Sequence, residues 1–324
     1  MDQQLLRRGN FLKKSLDISY WISVKPGTRK SARKKNNKRN EKEKEIMKKK
    51  FSSQTAAKLI KNAILLTMAA LALCALPGVV LATTCTPQTT WTGAIDHNWF
   101  NSGNWSNGVP DSSTAAVINN GGTAQINTSL PAANACSLTL DPGTVSVGSM
   151  GSLQVVTQID VGGTGATQTG LLTVTGSVTA ASVAVHTSGT LTGNGTLSTT
   201  SATTIYGTLA PGPGRLTISG GNLIFSSSEG STPLMESKVT PTSQDNVDVS
   251  ASAATATLTG KLSVSMSGTF TANTTYTLLH AEGGRINTFS SVSITYPCEC
   301  FMPEIQYTAK DVNLVLAPAA CCTQ

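Results

Sequence analysis

Between Gly151 and Leu216 the chain repeats itself every 19 residues: Gly151-Ser-Leu153 returns as Gly170-Leu-Leu172 and again as Gly189-Thr-Leu191. A second series runs out of step with it through Gly176-Ser-Val178, Gly195-Thr-Leu197 and Gly214-Arg-Leu216. Spacing extends this series upstream to Ile159 and Leu140, so that Leu140, Ile159, Val178, Leu197 and Leu216 keep one register. A constant period near 20 residues is the mark of a solenoid, in which each turn leans on the next.

A 19-residue circuit is too short for helix pairs and suits short strands joined by tight turns. After Ala82, Thr, Ser, Gly and Val dominate, and alternation with period two is common, as in Leu171-Leu-Thr-Val-Thr175 and Lys261-Leu-Ser-Val-Ser265. The expected fold class is all-β, a coil with successive circuits stacked at roughly 4.8 Å as parallel strands. The Leu and Val of each series are expected to point inward, each contributing about 1.5–3 kcal/mol on burial. Glycines two residues before most inward positions mark the corners. Val183, Val185, Ile205 and Ile224 are candidates for a third side. Segment 226–317 leaves the register but stays β, with candidate strands at 246–249, 254–258, 261–266, 276–280 and 289–295 and a hairpin of 304–308 with 311–316. It reads as a C-terminal β unit closing the coil.

The net charge of +7 conceals a split. Residues 1–82 hold 19 Lys and Arg against 5 Asp and Glu, a balance of +14, whereas 83–324 hold 5 against 12, a balance of −7. Without clustered cations to displace counterions, nucleic acid is rejected as a partner. Met47-Lys-Lys-Lys50 followed by the apolar run 63–82 reads as a secretory signal peptide, with Val80-Leu-Ala82 predicting a cut after Ala82. No stable membrane span is expected after cleavage. Met47 is the more natural start. The layout is therefore a leader at 1–82, a Trp-rich N-terminal cap at 83–136, repeats at 137–225, a β unit at 226–317 and a tail at 318–324.

Export puts the cysteines in an oxidising compartment. Cys74 leaves with the leader, and Cys85, Cys136, Cys298, Cys300, Cys321 and Cys322 remain. If Thr308 faces Asp311 in the last hairpin, Cys298 faces Cys321. A disulfide from Cys298 or Cys300 to Cys321 or Cys322 is expected to clip its base. Zinc is the rival, but C-x-C followed by a vicinal pair is not a usual zinc spacing.

Segment 90–120 holds Trp91, Trp99 and Trp105, every tryptophan after the leader, together with Phe100. A solenoid exposes an apolar cross-section at its ends, and large aromatics suit a plug for it. Exposed aromatics also stack on sugars, so a carbohydrate platform is the second reading.

Thr190-Leu-Thr-Gly-Asn-Gly-Thr-Leu197 and Gly207-Thr-Leu-Ala-Pro-Gly-Pro-Gly-Arg-Leu-Thr-Ile-Ser-Gly220 resemble bacterial autotransporter passenger regions, including the autotransporter-associated β-strand repeat. Asp245-Asn-Val-Asp-Val249 and Thr275-Tyr-Thr-Leu-Leu-His-Ala281 look like the segment that follows it there. The resemblance covers roughly 138–317. It implies a right-handed parallel β-helix displayed outside the cell, often in adhesion or envelope structure. Autotransporters end in a membrane-spanning barrel, for which the residues after 317 leave no room, so self-transport is not carried over.

β-Helices also host polysaccharide lyases and hydrolases, which need carboxylates on one face. Asp141 and Asp160, 19 apart, are expected one above the other, either as two solvated turn residues or as a pair for Ca²⁺ or catalysis. His97, His186 and His280 have no evident acid partner in the sequence. Asp245 and Asp248 flank a strand start and read as satisfying local backbone. Asn104, Asn194 and Asn273 head glycosylation sequons of a kind frequent by chance in Ser/Thr-rich chains. No catalytic, cofactor or metal residue is assigned. The expected function is non-enzymatic: an adhesin-like or envelope protein, secreted or at the cell surface, meeting a host or neighbouring-cell surface or an envelope polysaccharide. A carbohydrate-active β-helix enzyme and a carbohydrate-binding module working through the three tryptophans are the alternatives.

Overall fold

A computed structural model describes residues 85–165, 167–297 and 300–320. They belong to the second of two units of the chain, 82–324. The leader, and with it the cut after Ala82, lies outside the described residues. Among the described residues no helix is long and apolar enough to cross a membrane.

The described residues are all-β: 25 strands and one short 3-10 turn, Ser102–Asn104. The strands form a 16-stranded and a 9-stranded sheet, parallel over most of their extent. Alternation makes this work. In Gly170–Val174, Gly170, Leu172 and Val174 are buried while Leu171 and Thr173 face outward, and Gly189–Gly193 repeats the pattern.

Three pairing ladders run through the two sheets. The first carries Leu138, Ile159, Val183, Thr203, Leu223 and Ala256 side by side. The second carries Ala124, Val145, Leu172, Leu191, Leu209, Met235 and Leu262. The third carries Ala133, Leu153, Val178, Leu197, Ile218, Val249 and Ala281. The chain visits the second, third and first ladder in turn, and all these side chains are buried in one continuous core. This arrangement is compatible with a β-helix or solenoid. No circuit could offset its ordering entropy alone, so the stack is the stable unit.

The 19-residue register is narrower than the sequence pattern indicates. It holds for Leu172 against Leu191 and for Val178 against Leu197. Leu153 instead pairs Val178, 25 residues on, and Ile159 pairs Leu138 and Val183 on the first ladder. Leu140 faces Val161. Segment 162–169, inserted between two ladders, lengthens one circuit and breaks the count. On the expected third side Val183, Val185 and Ile205 are buried, but Ile224 turns outward between the buried Leu223 and Phe225.

Parallel pairing continues beyond residue 225 with longer steps, Leu209 to Met235 to Leu262 to Val292. The strands Asn246–Val249, Lys261–Met266, Thr275–Ala281 and Ser291–Thr295 lie close to their expected positions, whereas 254–258 shrinks to Ala256–Thr257. Phe301–Tyr307 and Asp311–Pro318 form an antiparallel hairpin in the expected register, with Glu304 facing Val315. Cys300 is disulfide-bonded. Cys298, Cys321 and Cys322 lie outside the described residues.

At the other end Cys85 is bonded to Cys136. Trp91, Trp99 and Trp105 are all buried, and Trp105 meets each of the others edge to face. Fully buried Asn104 ties the loop: its Oδ1 accepts from the Ile95 and Asp96 amides at 2.9 and 3.1 Å, and its Nδ2 donates to Asp96 Oδ1 at 2.6 Å.

Candidate functional site

The outer surface of the strands carries the polar side chains, so any site must be built from outward positions on neighbouring strands and from the loops beside them. Asp141 and Asp160 do not stack. Asp160 sits opposite Thr139 and Ala184, whereas Asp141 lies beyond the end of Ser137–Leu140. Asp141 Oδ2 accepts from Gln168 Nε2 at 2.9 Å, and its Oδ1 is buried without a partner. The two carboxylates are therefore bonded to different elements and do not form one acid pair.

Asp160 is instead part of a cluster around His186. His186 follows Ser182–Val185, two positions past the residue that faces Asp160, so both side chains share the outer surface. Its Nε2 lies 3.1 Å from Asp160 Oδ1 and its Nδ1 2.7 Å from Glu229 Oε1. Glu229 arrives from segment 226–233 and also accepts from the Thr187 amide and hydroxyl at 3.2 and 3.1 Å. The Tyr206 ring is stacked on the imidazole, centroids 6.0 Å apart. Burial works against the charged ring, but the bonds to Glu229 and Asp160 outweigh it and raise the His186 pKa above its ordinary value.

A second cluster surrounds His280. Asp248, His280 and Asp311 stand side by side on three neighbouring strands. His280 Nδ1 lies 2.6 Å from Asp311 Oδ1 and its Nε2 3.1 Å from Glu282 Oε2. Lys310 Nζ lies 2.7 Å from Glu282, and Arg215 pairs with Asp248 at 3.5 Å. The bond to Asp311, opposed by desolvation and aided by Glu282, raises the His280 pKa. Arg215, Gln244, Asn246, Asp248, Thr277 and His280 line a groove of about 370 Å³ there.

Both histidines thus have the acid partners that sequence spacing does not reveal. His97 Nδ1 lies 3.1 Å from the Thr123 carbonyl. Asp245 satisfies backbone as expected, accepting from the Gly214 and Lys238 amides at 2.9 and 3.2 Å, beside a cleft of about 350 Å³ lined by Thr192, Glu236 and Lys238. Asp248 forms an ion pair with Arg215. The three tryptophans are at most 4% exposed, so none offers a ring face to a sugar. Among the described residues no group of His, Cys, Asp and Glu is arranged to hold a metal ion. Glu229, Tyr206, Asp311, Glu282, Lys310 and Arg215 are the cluster members that the sequence did not single out as site residues. For Asp248 and His280, adjacency in the pairing register is the only signal that could have joined them.

The chain matches no protein-family model and no curated protein.

Proposed function

We infer that this chain is a non-enzymatic right-handed β-helix protein, secreted or held at the cell surface, with an adhesin-like or envelope-structural role. One observation carries the reading: hydroxyl side chains stand in register on the outer face of successive strands. Ser152, Ser177, Thr196 and Thr217 form one such row and Thr179, Ser198 and Ser219 another, with Ser198 and Ser219 hydroxyls 2.7 Å apart. Such a surface offers many weak hydrogen bonds over a long flat face, suited to an extended polar partner such as an envelope polysaccharide or the surface of a host or neighbouring cell. The right hand is the one that the resemblance to autotransporter passenger regions implies. The Cys85–Cys136 bond fits an oxidising compartment, as export past a cut after Ala82 requires.

The test is surface protease shaving with N-terminal sequencing, followed by binding and turnover assays of the purified chain on acidic and neutral polysaccharides. The expected outcome is a protein starting at Thr83, accessible outside the cell, that binds without turnover. Turnover abolished by Asp160→Asn would replace this reading with a carbohydrate-active enzyme.

A further inference from the structure

His186 touches a carboxylate at each ring nitrogen, Glu229 at Nδ1 and Asp160 at Nε2, at 2.7 and 3.1 Å. A neutral imidazole has one N–H and can serve one of them; only the imidazolium donates to both. The groups facing the ring are Asp160 on Gln158–Val161, Glu229 on segment 226–233, and the stacked Tyr206. Among the described residues no lysine or arginine forms an ion pair with Asp160 or Glu229. Among the described residues the charged ring is therefore the only cation paired with the two carboxylates. The His280 cluster differs, because Lys310 and Arg215 keep their charge whatever His280 does.

The two carboxylates are not equally free to leave. Asp160 is fixed within a paired strand, whereas Glu229 is on the segment between Arg215–Phe225 and Leu234–Thr240. That segment crosses the outer face beside His186 and Tyr206, held there by Glu229 and by the Ser231 hydroxyl on the Tyr206 carbonyl at 2.7 Å. We propose that His186 is a proton-dependent latch that holds segment 226–233 tightly on the outer face while the ring is charged and loosens it when the ring is neutral, the Thr187 and Ser231 bonds being left as the remaining hold.

The folded ring holds its proton more tightly than the unfolded chain, so the docking contribution is complete below about pH 6.5. It is lost as pH rises through the raised folded value. The latch is tight in acid and loosens toward alkaline pH.

Amide hydrogen exchange on residues 227–231 of the full chain, expressed as protection factors so that intrinsic base catalysis is removed, tests this between about pH 5.5 and about pH 9. Protection is expected to fall several-fold with a midpoint equal to the His186 imidazole titration seen by NMR. His186→Gln is expected to show low protection with no pH step. Glu229→Gln, a milder change confined to the segment, is expected to do the same, and His280→Gln to leave the step intact. Protection independent of pH in the unaltered chain, or a step that survives in H186Q or E229Q, would overturn the proposal.

Discussion

The indole N–H of Trp105 donates to the Trp99 carbonyl at 2.8 Å, and the two rings meet edge to face with centroids 4.8 Å apart. The Trp99 indole N–H is buried with no partner. Two substitutions that look equivalent in sequence therefore separate. Trp105→Phe removes a buried donor and leaves a buried carbonyl unmet, at a cost of about 1–3 kcal/mol beyond the lost ring area. Trp99→Phe removes a donor that satisfies nothing, so it is expected to cost less. Trp105→Ala is expected to lose about 3–5 kcal/mol. Urea midpoints of the three variants check the order; equal loss in both Phe variants would contradict it.

Stacking needs small residues where neighbouring circuits come closest. A methyl group at Gly189 would stand 1.9 Å from the Val161 carbonyl oxygen, a backbone atom that cannot swing aside. Gly230 lies in open space with φ +76, so alanine there meets no atom but adopts a left-handed backbone. Gly189→Ala is expected to destabilise by about 1–3 kcal/mol through overpacking, and Gly230→Ala by about 1 kcal/mol through backbone strain alone. Denaturation of both checks the ranking.

The same stacking explains what was legible in sequence. Gly170-Leu-Leu172 and Gly189-Thr-Leu191 announced a real rung, because no insertion separates them within the circuit. Ile159 and Val178 have the same spacing but belong to different ladders, because sequence spacing measures chain length and ignores a loop at one corner. The Asp160–His186–Glu229 cluster was illegible for a related reason. Its members are 26 and 43 residues apart, and the third sits on an inserted segment with no period. The hairpin register was legible because its turn is short and both strands are continuous.

Asp111 heads the turn before Ala115–Ile118 and accepts from the Ser113 hydroxyl, the Ser113 amide and the Thr114 hydroxyl at 2.7, 2.9 and 2.8 Å. These bonds, led by the Ser113 hydroxyl, hold its pKa down to about 2. A depressed carboxylate contributes stability that is present above the ordinary value of 3.8 and disappears as pH falls through about 2. The expected outcome is a carboxyl carbon resonance that stays in its ionised position at pH 3 and moves only below it. Titration near 3.8 would show the turn to be unformed in solution.

The Cys85–Cys136 bond spans 51 residues, and between its ends lie all three buried tryptophans and the strands that carry Ala116, Ile118, Ala124 and Ile126 into the core. Cutting the bond frees a long loop in the unfolded chain, and the loop-closure estimate for that length is about 4 kcal/mol. The strand that follows, Gln88–Thr90, is the first described strand of its sheet; it pairs with Ala115–Ile118 and on its other side is bonded by Ser106 and Asn107. The paired variant Cys85→Ser with Cys136→Ser is expected to lower the global unfolding free energy. It should also expose Gln88–Thr90 to exchange before the strands from residue 137 onward. Hydrogen exchange resolved by segment distinguishes this from uniform weakening. Uniform loss across all three ladders would mean that the N-terminal region and the stacked strands unfold as one cooperative body.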